Sequence, residues 1–305
     1  MATQQEISRI GAWIKAFRLH TLPLAVAGML LGDILAYPVR FSWAIALLSL
    51  LTALSLQVLS NLANDYGDAK NGADNEKRNG PARMVQSGII SMAQMKTGII
   101  LSSLFSLICG ISLLAMGWAV IGRNGAIALL ALGLLSILAA ITYTASKRPY
   151  GYRGLGDLSV FIFFGLVSVG GSYFLQTGEM SPWVLLPAAA MGLLCAGVLN
   201  VNNMRDIETD ALAHKITVPV VLGLRKAKIY HWVLMMLPLV LFVIYLNAVH
   251  QRHWPVFLCI SFIFVFHGIR VSRSTTPEEM NPNLKALVLS ILGFVFYFGL
   301  CTFIV

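Results

Sequence analysis

The sequence predicts an all-α integral membrane protein with nine transmembrane helices, and three observations support this fold class. The 305 residues are 57% hydrophobic and only 11% charged, whereas soluble proteins carry about 25% charged residues. Apolar runs of about twenty residues, the length that crosses a bilayer as a helix, recur along the whole chain. The basic residues fall mainly in alternate loops between these runs. Water-soluble fold classes are therefore excluded.

The apolar runs define a single domain over 1–305, preceded by a short amphipathic segment. In that segment Ile7, Ile10, Trp13, Ile14 and Phe17 have helical spacing, as in a helix that lies in the membrane interface. The nine predicted spans are 20–38, 41–64, 95–121, 125–146, 155–177, 182–204, 229–248, 255–270 and 284–305.

The distribution of positive charge predicts how the chain is oriented. Cytoplasmic loops of membrane proteins carry an excess of Lys and Arg. Nineteen of the 22 basic residues lie on one side of the predicted spans, and only Arg40, Arg123 and Arg252 lie on the other. We therefore expect a multi-pass protein of the plasma (inner) membrane, with a cytoplasmic N-terminus and the C-terminus outside. The net charge of +9 is then an orientation signal and gives no reason to invoke nucleic acid.

A polar segment, NLANDYGDAKNGAD over 61–74, follows the second predicted span. Asn61, Asp65 and Asp68 are spaced at i, i+4 and i+7, so they share one face of a helix, with Asn64 beside them. Carboxylates at a membrane boundary are costly unless cations meet them. Taken alone, this segment fits a solvated helix end as well as it fits a functional site.

A second segment repeats the pattern after the sixth predicted span. Asn202, Asp206 and Asp210 again step by four, and the Asn-x3-Asp spacing matches that of Asn61 and Asp65. Seven of the thirteen acidic residues lie in these two short segments or, for Glu76, two residues beyond the first. Two matched acidic segments on the same side of the membrane favour a functional pair over two solvated helix ends.

The chemistry of these side chains indicates what such a pair binds. Carboxylate and amide oxygens without His or Cys suit a hard divalent cation, and magnesium is usually shared with substrate phosphates. Basic residues near the same ends of the predicted spans complement the negative charge of a diphosphate. They are Arg78, Arg83, Lys147, Arg148, Arg205 and Lys215. The absence of a glycine-rich phosphate loop argues against a nucleotide, so a lipid-tailed diphosphate is the expected ligand.

These motifs resemble those of the UbiA superfamily of intramembrane aromatic prenyltransferases, over essentially the full chain. Asn64-Asp65-x2-Asp68 resembles its first Asp-rich motif, with Asp74 further on, and Asp206-x3-Asp210 resembles the second. Tyr143-x3-Lys147 resembles its YxxxK element. The closest likeness is to the members that prenylate 1,4-dihydroxy-2-naphthoate in menaquinone biosynthesis. It is carried by SNLANDYGD, GPAR, RPYGYRGLGD, NNMRDIETD and VLG, which begin at residues 60, 80, 148, 202 and 221.

The resemblance implies nine helices around a central, lipid-open cavity, with the cytoplasmic loops 65–94 and 205–228 capping the active site. Polyprenyl diphosphate and an aromatic acceptor would be the substrates, Mg²⁺ the cofactor and the lipid bilayer the surroundings. The implied magnesium ligands are Asn64, Asp65, Asp68, Asp206 and Asp210. The implied substrate contacts are Asn61, Asp74, Arg78, Arg83, Arg148, Tyr152, Asn202 and Lys215, with Lys147 and Tyr143 joining the four motif aspartates as catalytic residues.

One position departs from the family pattern, because His214-Lys215 stands where the family usually has Gly-Lys. His is less free than Gly to adopt a positive φ, so the local backbone is in question. Asp33 lies toward the outer side of the first span and is assigned no role. Arg18 is interpreted as a positive-inside anchor rather than a diphosphate contact.

Two other functions stay open at this point. The first is prenylation of a different acceptor, such as 4-hydroxybenzoate or homogentisate, although the GPAR and GYRGLGD segments favour naphthoate. The second is a cation transporter that uses Asn and Asp from two repeats, which would place its site near the bilayer midplane. The acidic segments lie at span ends beside long loops, which argues against a transporter.

Overall fold

The computed structural model describes residues 8–73, 83–249 and 254–304, without the side chains of 254–260 and 303–304. Within these residues the chain is almost entirely helical, and one isolated β-bridge joins Arg153 to Ile216. The helices are α1 (Arg9–Phe17), α2 (Leu22–Ala36), α3 (Trp43–Lys70), α4 (Met92–Thr142), α5 (Gly156–Val160), α6 (Gly171–Thr177), α7 (Leu185–Arg205), α8 (Ile207–Leu212), α9 (Val218–Ala248), α10 (Trp254–Arg273) and α11 (Pro277–Ile304). A π-helical segment, Phe161–Gly170, joins α5 to α6.

The prediction of nine transmembrane helices is confirmed. Seven helices of the described chain are long and apolar enough to cross a membrane. One of them, α4, is 51 residues long and is interrupted at Gly122, whose φ of 62° and ψ of −176° are not helical. It therefore makes two crossings, and α10 adds a ninth within the residues described. The protein is an integral membrane protein.

Three predicted span boundaries are wrong, and all three lie on the side that carries most of the basic residues. The ninth span was predicted to begin at residue 284, but α11 begins at Pro277. The second span was predicted to end at residue 64, but α3 continues to Lys70. The seventh was predicted to begin at 229, but α9 begins at Val218, with a break at Gly223 (φ 73°). The end of α3 and the start of α9 are rich in polar residues, so a prediction based on apolar runs did not include them in the helices. The acidic segment 61–68 is therefore part of a helix rather than the start of a loop.

Helix α7 is the centre of the bundle, and it packs against α2, α9, α11 and the π-helical segment. The closest approach is to the π-helical segment, where glycines face each other. A Cβ atom on Gly165 would lie 2.5 Å from the Ala188 carbonyl oxygen, and one on Gly192 would lie 2.5 Å from that of Phe161. Small residues let helix backbones approach closely in membranes, so these glycines fix how α7 packs.

Asp33, which had no assigned role, belongs to a buried polar network on the opposite side of the bundle from the acidic motifs. Its carboxylate accepts hydrogen bonds from the Ser172 hydroxyl at 2.8 Å and the Gln176 amide at 2.9 Å. Gln176 also bonds the backbone N–H and carbonyl of Ser42. The network ties α2 and α6 to the start of α3, which is a structural role.

The amphipathic N-terminal helix is present as α1. Ala12 and Ala16 are buried, while Ile10 and Ile14 are exposed. The Trp13 ring packs where Gly98 of α4 leaves room for it. An exposed apolar face on a helix beside the bundle is typical of a helix in the membrane interface.

Candidate active site

The first acidic segment occupies the last turns of α3, and its key side chains are buried. The Asp65 carboxylate accepts the backbone N–H groups of Met84 at 3.1 Å and Val85 at 3.4 Å. Asn61 donates to the Phe17 carbonyl at 2.9 Å and to the Thr21 hydroxyl at 3.0 Å. The segment that follows residue 82 therefore folds back over the end of α3 and covers it.

Asp68 receives two side chains from elsewhere in the chain. Its Oδ2 atom accepts a hydrogen bond from Arg83 at 3.2 Å, and its Oδ1 atom accepts one from the Tyr152 hydroxyl at 2.9 Å. Asn64 accepts from the Thr144 hydroxyl at 3.1 Å. The predicted proximity of Arg83 and Tyr152 to the first motif is thus present in the structure.

The spacing of the second acidic segment predicted one continuous helix. The structure instead has a break within the segment. Helix α7 ends at Arg205, and Asp206 has φ −97° and ψ 13° before α8 begins. Hydrogen bonds from the Asp206 N–H to the Asn202 carbonyl and from the Asp210 N–H to the Asp206 carbonyl carry the i to i+4 pattern across the junction. The side-chain relation is kept although the helix axis changes.

Each aspartate of the second segment is paired with a cation. Arg205 donates to both carboxylate oxygens of Asp206, at 2.8 and 2.6 Å, and also bonds Asn202 at 2.9 Å and Asn281 of α11 at 3.0 Å. The Lys215 ammonium lies 3.3 Å from Asp210. Asp210 Oδ2 is buried and has no hydrogen-bond partner in the described structure.

The position of Lys215 follows from a left-handed residue at the family's glycine position. His214 has φ 52°, which turns the chain so that the Lys215 N–H reaches the Asp210 carbonyl at 2.8 Å. The backbone conformation that glycine would favour is therefore kept, with a histidine in it. The Ile216 N–H then bonds the Tyr152 carbonyl at 3.0 Å, which places Lys215 5.6 Å from the centre of the Tyr152 ring.

These contacts join the two acidic segments into one cluster, because Tyr152 contacts both Asp68 and Lys215. Burial raises the pKa of Asp210 to about 6, with Lys215 opposing the shift and Asp206 and Asp68 adding to it. Burial lowers the pKa of Lys215, but the charges of Asp68, Asp210 and Asp206 outweigh this effect and raise it overall. Lys215 is thus held as a cation between the two segments.

The donors of the cluster fit a magnesium ion that is shared with a diphosphate. They are carboxylate and amide oxygens, which Mg²⁺ prefers, and Asp210 Oδ2 is an unpartnered buried acceptor. Among the described residues, no three His, Cys, Asp or Glu side chains converge closely enough to hold a metal by themselves.

A cavity of about 1610 Å³ opens beside the cluster. At its polar end it is lined by Asn61, Asn64, Asp65, Asp68, Arg83, Tyr143, Asn202 and Lys215. Deeper in the bundle its walls are apolar, with Leu107, Ile111, Leu114, Leu130, Phe163 and Val167. An acidic and basic mouth on a long apolar chamber has the chemistry of a site for an ionic head group with a hydrocarbon tail.

Tyr143 lies at the boundary between the polar and apolar parts. Burial raises the pKa of its hydroxyl, with the charges of Asp68, Asp157 and Asp210 adding to the effect. Its ring meets the Tyr150 ring edge-on at 5.3 Å. The phenol is therefore neutral, and its ring is available to face a positive charge in the cavity.

Not every predicted residue reaches the site. Lys147 and Arg148 are exposed beyond the end of α4 and do not line the cavity. Asp206 and Asp210 are buried behind the lining residues. Asp74 and Arg78 lie outside the described residues. Of the predicted basic residues, three are therefore placed both at the cavity and on a motif aspartate: Arg83, Arg205 and Lys215.

Sequence reasoning also missed residues that line the cavity, and it interpreted one of them, Arg18, as a membrane anchor. Four of them, Arg18, His20, Asn281 and Lys285, come from the segment between α1 and α2 and from the start of α11. None belongs to a repeated motif, and the two ends of the chain are far apart in sequence. Only the packing of α11 against α2 and α7 brings them to the acidic mouth.

Comparison with solved structures identifies the fold class. The chain matches a UbiA homolog from Aeropyrum pernix K1 with a TM-score of 0.66, 21% identity, and coverage of 93% of this chain and 98% of the other. It matches a UbiA homolog from Archaeoglobus fulgidus, solved bound to GPP and Mg²⁺, with a TM-score of 0.65, 14% identity, and coverage of 94% and 98%. The fold is that of the UbiA-type membrane proteins.

The chain belongs to the UbiA prenyltransferase family, whose model matches residues 24–292. Two curated relatives are similar over nearly their whole length. One is the 1,4-dihydroxy-2-naphthoate octaprenyltransferase of Escherichia coli, which is 43% identical over 288 residues, or 94% of this chain and 93% of the relative. The other is the protein of the same name from Haemophilus influenzae, which is 40% identical over 299 residues, 96% of each chain.

Proposed function

We propose that this protein transfers a polyprenyl group from polyprenyl diphosphate to 1,4-dihydroxy-2-naphthoate, with release of carbon dioxide and diphosphate, to give demethylmenaquinone. The observation that carries the proposal is the cluster of two acidic segments and three cations, Arg83, Arg205 and Lys215, at the polar end of a long apolar cavity. The acceptor comes from the similarity to the two naphthoate octaprenyltransferases.

The ion pairs of the cluster suggest how the diphosphate binds. Five side chains would hold the metal: Asn64, Asp65 and Asp68 from α3, Asp206 at the N-cap of α8, and Asp210 within α8. Magnesium, when bound, supplies positive charge that stabilises the departing diphosphate.

Two cations of the chain act on the diphosphate directly. In the structure, Arg83 is paired with Asp68 and Lys215 is paired with Asp210. Once the aspartates have other positive charge beside them, both cations are free to bind diphosphate oxygens.

The reaction follows from this binding. The bond between the prenyl C1 and the diphosphate oxygen breaks, and its electron pair leaves with the diphosphate. The electron-rich ring carbon that carries the carboxylate bonds to C1. The bond from that carbon to the carboxylate then breaks, its electrons restore the aromatic ring, and carbon dioxide leaves.

The residues around the cavity hold the reactants and protect the intermediate cation. The ring of Tyr143 faces the region where positive charge develops, and aromatic faces attract cations. The apolar walls hold the prenyl chain and exclude water that would quench the cation. Holding both reactants in one chamber supplies the proximity that the carbon–carbon bond requires.

The test is a product analysis with purified protein, polyprenyl diphosphate and magnesium. We expect 1,4-dihydroxy-2-naphthoate labelled in its carboxyl group to release one label for each prenylated product, and chelation with EDTA to stop both reversibly. A panel that includes 4-hydroxybenzoate and homogentisate tests the acceptor. A prenylated product that keeps the label would show that the acceptor or the attacked carbon is wrong.

A matched pair of variants connects the reaction to the cluster. Asp206→Asn is expected to reduce turnover by about 100-fold or more, because it removes charge from the site where leaving-group stabilisation is needed. Glu208→Gln is the control, since Glu208 is exposed two residues away and its loss should leave turnover within about twofold. Equal effects of the two substitutions would refute the assigned site.

A further inference from the structure

A second group of basic side chains lines the part of the cavity that the two ends of the chain form. His20 lies in the turn before α2, and Lys285 lies in the third turn of α11; both line the cavity. Within the described residues, neither side chain forms a hydrogen bond or an ion pair. This distinguishes them from Arg83 and Lys215, each of which is paired with a motif aspartate.

The surroundings of His20 are positive. Arg18, Lys285 and Arg205 all lie close enough to act on its charge, and no carboxylate does so to a comparable extent. Arg205 bonds Asn281, one turn before Lys285 on α11. The packing of α11 against α2 and α7 thus gathers basic side chains at the end of the cavity beside the second acidic motif. Arg205 is paired there with Asp206, whereas Lys285 has no carboxylate partner among the described residues.

The reaction brings two anions into this chamber, and they have different requirements. The diphosphate carries several charges and is matched by metal, Arg83 and Lys215 at the acidic segments. The acceptor carries one carboxylate, which the motif aspartates would repel. That carboxylate requires a cationic partner that no motif aspartate already neutralises, and among the described residues Lys285, with His20 beside it, provides one.

We propose that Lys285 and His20 bind the carboxylate of the aromatic acceptor, so that this pair selects for acceptors that carry an acid group. The inference rests on the proposed function. Lys285 provides the ion pair, and His20 provides a shorter, planar hydrogen-bond donor beside it. Binding there holds the carbon that bears the carboxylate inside the chamber, where prenyl C1 can approach it.

The test measures the KM for each substrate separately. Lys285→Met is expected to raise the KM for 1,4-dihydroxy-2-naphthoate about tenfold or more, as for a lost charge-assisted hydrogen bond, and to leave the KM for polyprenyl diphosphate unchanged. Lys285→Arg should keep most of the affinity, and His20→Gln should show a smaller loss. Lys226→Met is the control, because Lys226 is exposed on the same side of the membrane and does not line the cavity.

An acceptor analogue without the carboxylate separates this role from a general effect on the site. Inhibition by 1,4-dihydroxynaphthalene is expected to be equally strong in wild type and Lys285→Met, because the lost interaction involves only the carboxylate. An unchanged acceptor KM, or a raised KM for polyprenyl diphosphate instead, would overturn the inference. If Lys285→Met lowers the Tm, Lys285→Gln is measured in its place. The same changes in KM are expected for it.

Failure of the two proposals can be told apart. Wild-type protein that prenylates no acceptor in the panel would refute the proposed function. Wild-type protein that prenylates 1,4-dihydroxy-2-naphthoate, with Lys285→Met showing the same acceptor KM, would refute only the role of Lys285 and His20.

Discussion

At the scale of single residues, the placement of Lys215 depends on the backbone of His214. The φ of 52° at His214 brings the chain back over α8, where Lys215 meets Asp210 and the ring of Tyr152. An L-residue in this left-handed region loses about 1–2 kcal/mol to contact between its Cβ and the backbone. The histidine is therefore tolerated at a cost that the surrounding contacts offset.

Two substitutions at this residue are expected to have opposite effects. His214→Gly should leave the Tm unchanged or slightly higher, because relief of the steric cost offsets about 0.5–1 kcal/mol of added chain entropy. His214→Val should lower stability by about 1 kcal/mol or more, since a β-branched residue fits this region worst, and should reduce turnover by displacing Lys215. Thermal unfolding in detergent with a parallel activity assay measures both. A valine variant as stable and active as wild type would contradict this account.

At the scale of elements, the contact between α7 and the π-helical segment holds the second acidic motif in place. Gly192 meets the Phe161 backbone and Gly165 meets the Ala188 backbone, so neither position has room for a side chain. Helix α7 carries Asn202 and leads directly into Asp206. A shift of α7 would therefore move half of the site relative to α3.

Gly192→Val should separate α7 from the π-helical segment and destabilise the protein by about 1–3 kcal/mol or more, as overpacking does. Turnover should fall with it, because the two acidic segments no longer face each other. Gly293→Val is the control, since Gly293 is exposed on α11 and a Cβ there meets nothing within 4 Å. The shift in Tm measures both, and equal shifts would show that this contact does not position α7.

At the scale of the whole molecule, the nine helices and the charge distribution lead to one proposed orientation. Both acidic segments lie at the ends of helices on the side that carries 19 of the 22 basic residues. Positive loops are retained in the cytoplasm, so the polar mouth of the cavity should face the cytoplasm, in the plasma membrane.

Reporter fusions test this orientation. A fusion after Gly178, which follows α6, should report an outside location, and a fusion after Ala213, which follows α8, should report a cytoplasmic one. Fusions after Tyr37 and after Lys70 provide the same comparison across α3. Two members of a pair on the same side would refute the orientation and the placement of the site with it.

The sequence by itself determined the class of the protein, the number of crossings and the two acidic segments. These are local properties: a bilayer needs about twenty apolar residues per helix, and the spacing of Asn and Asp is visible in any short segment. The family resemblance rested on the same segments, and it also identified Tyr143, Tyr152, Arg83 and Lys215, which the structure places in the cluster.

Only the tertiary structure decided which cations meet which acids. Lys147 looked equivalent to Lys215 in sequence, but the turn after α4 leaves it exposed, whereas the left-handed turn at His214 brings Lys215 inward. Lys285 and His20 lie 265 positions apart and carry no motif. They share a wall of the cavity because α11 packs beside α2, and such long-range packing depends on the fit of whole helix surfaces rather than on local spacing.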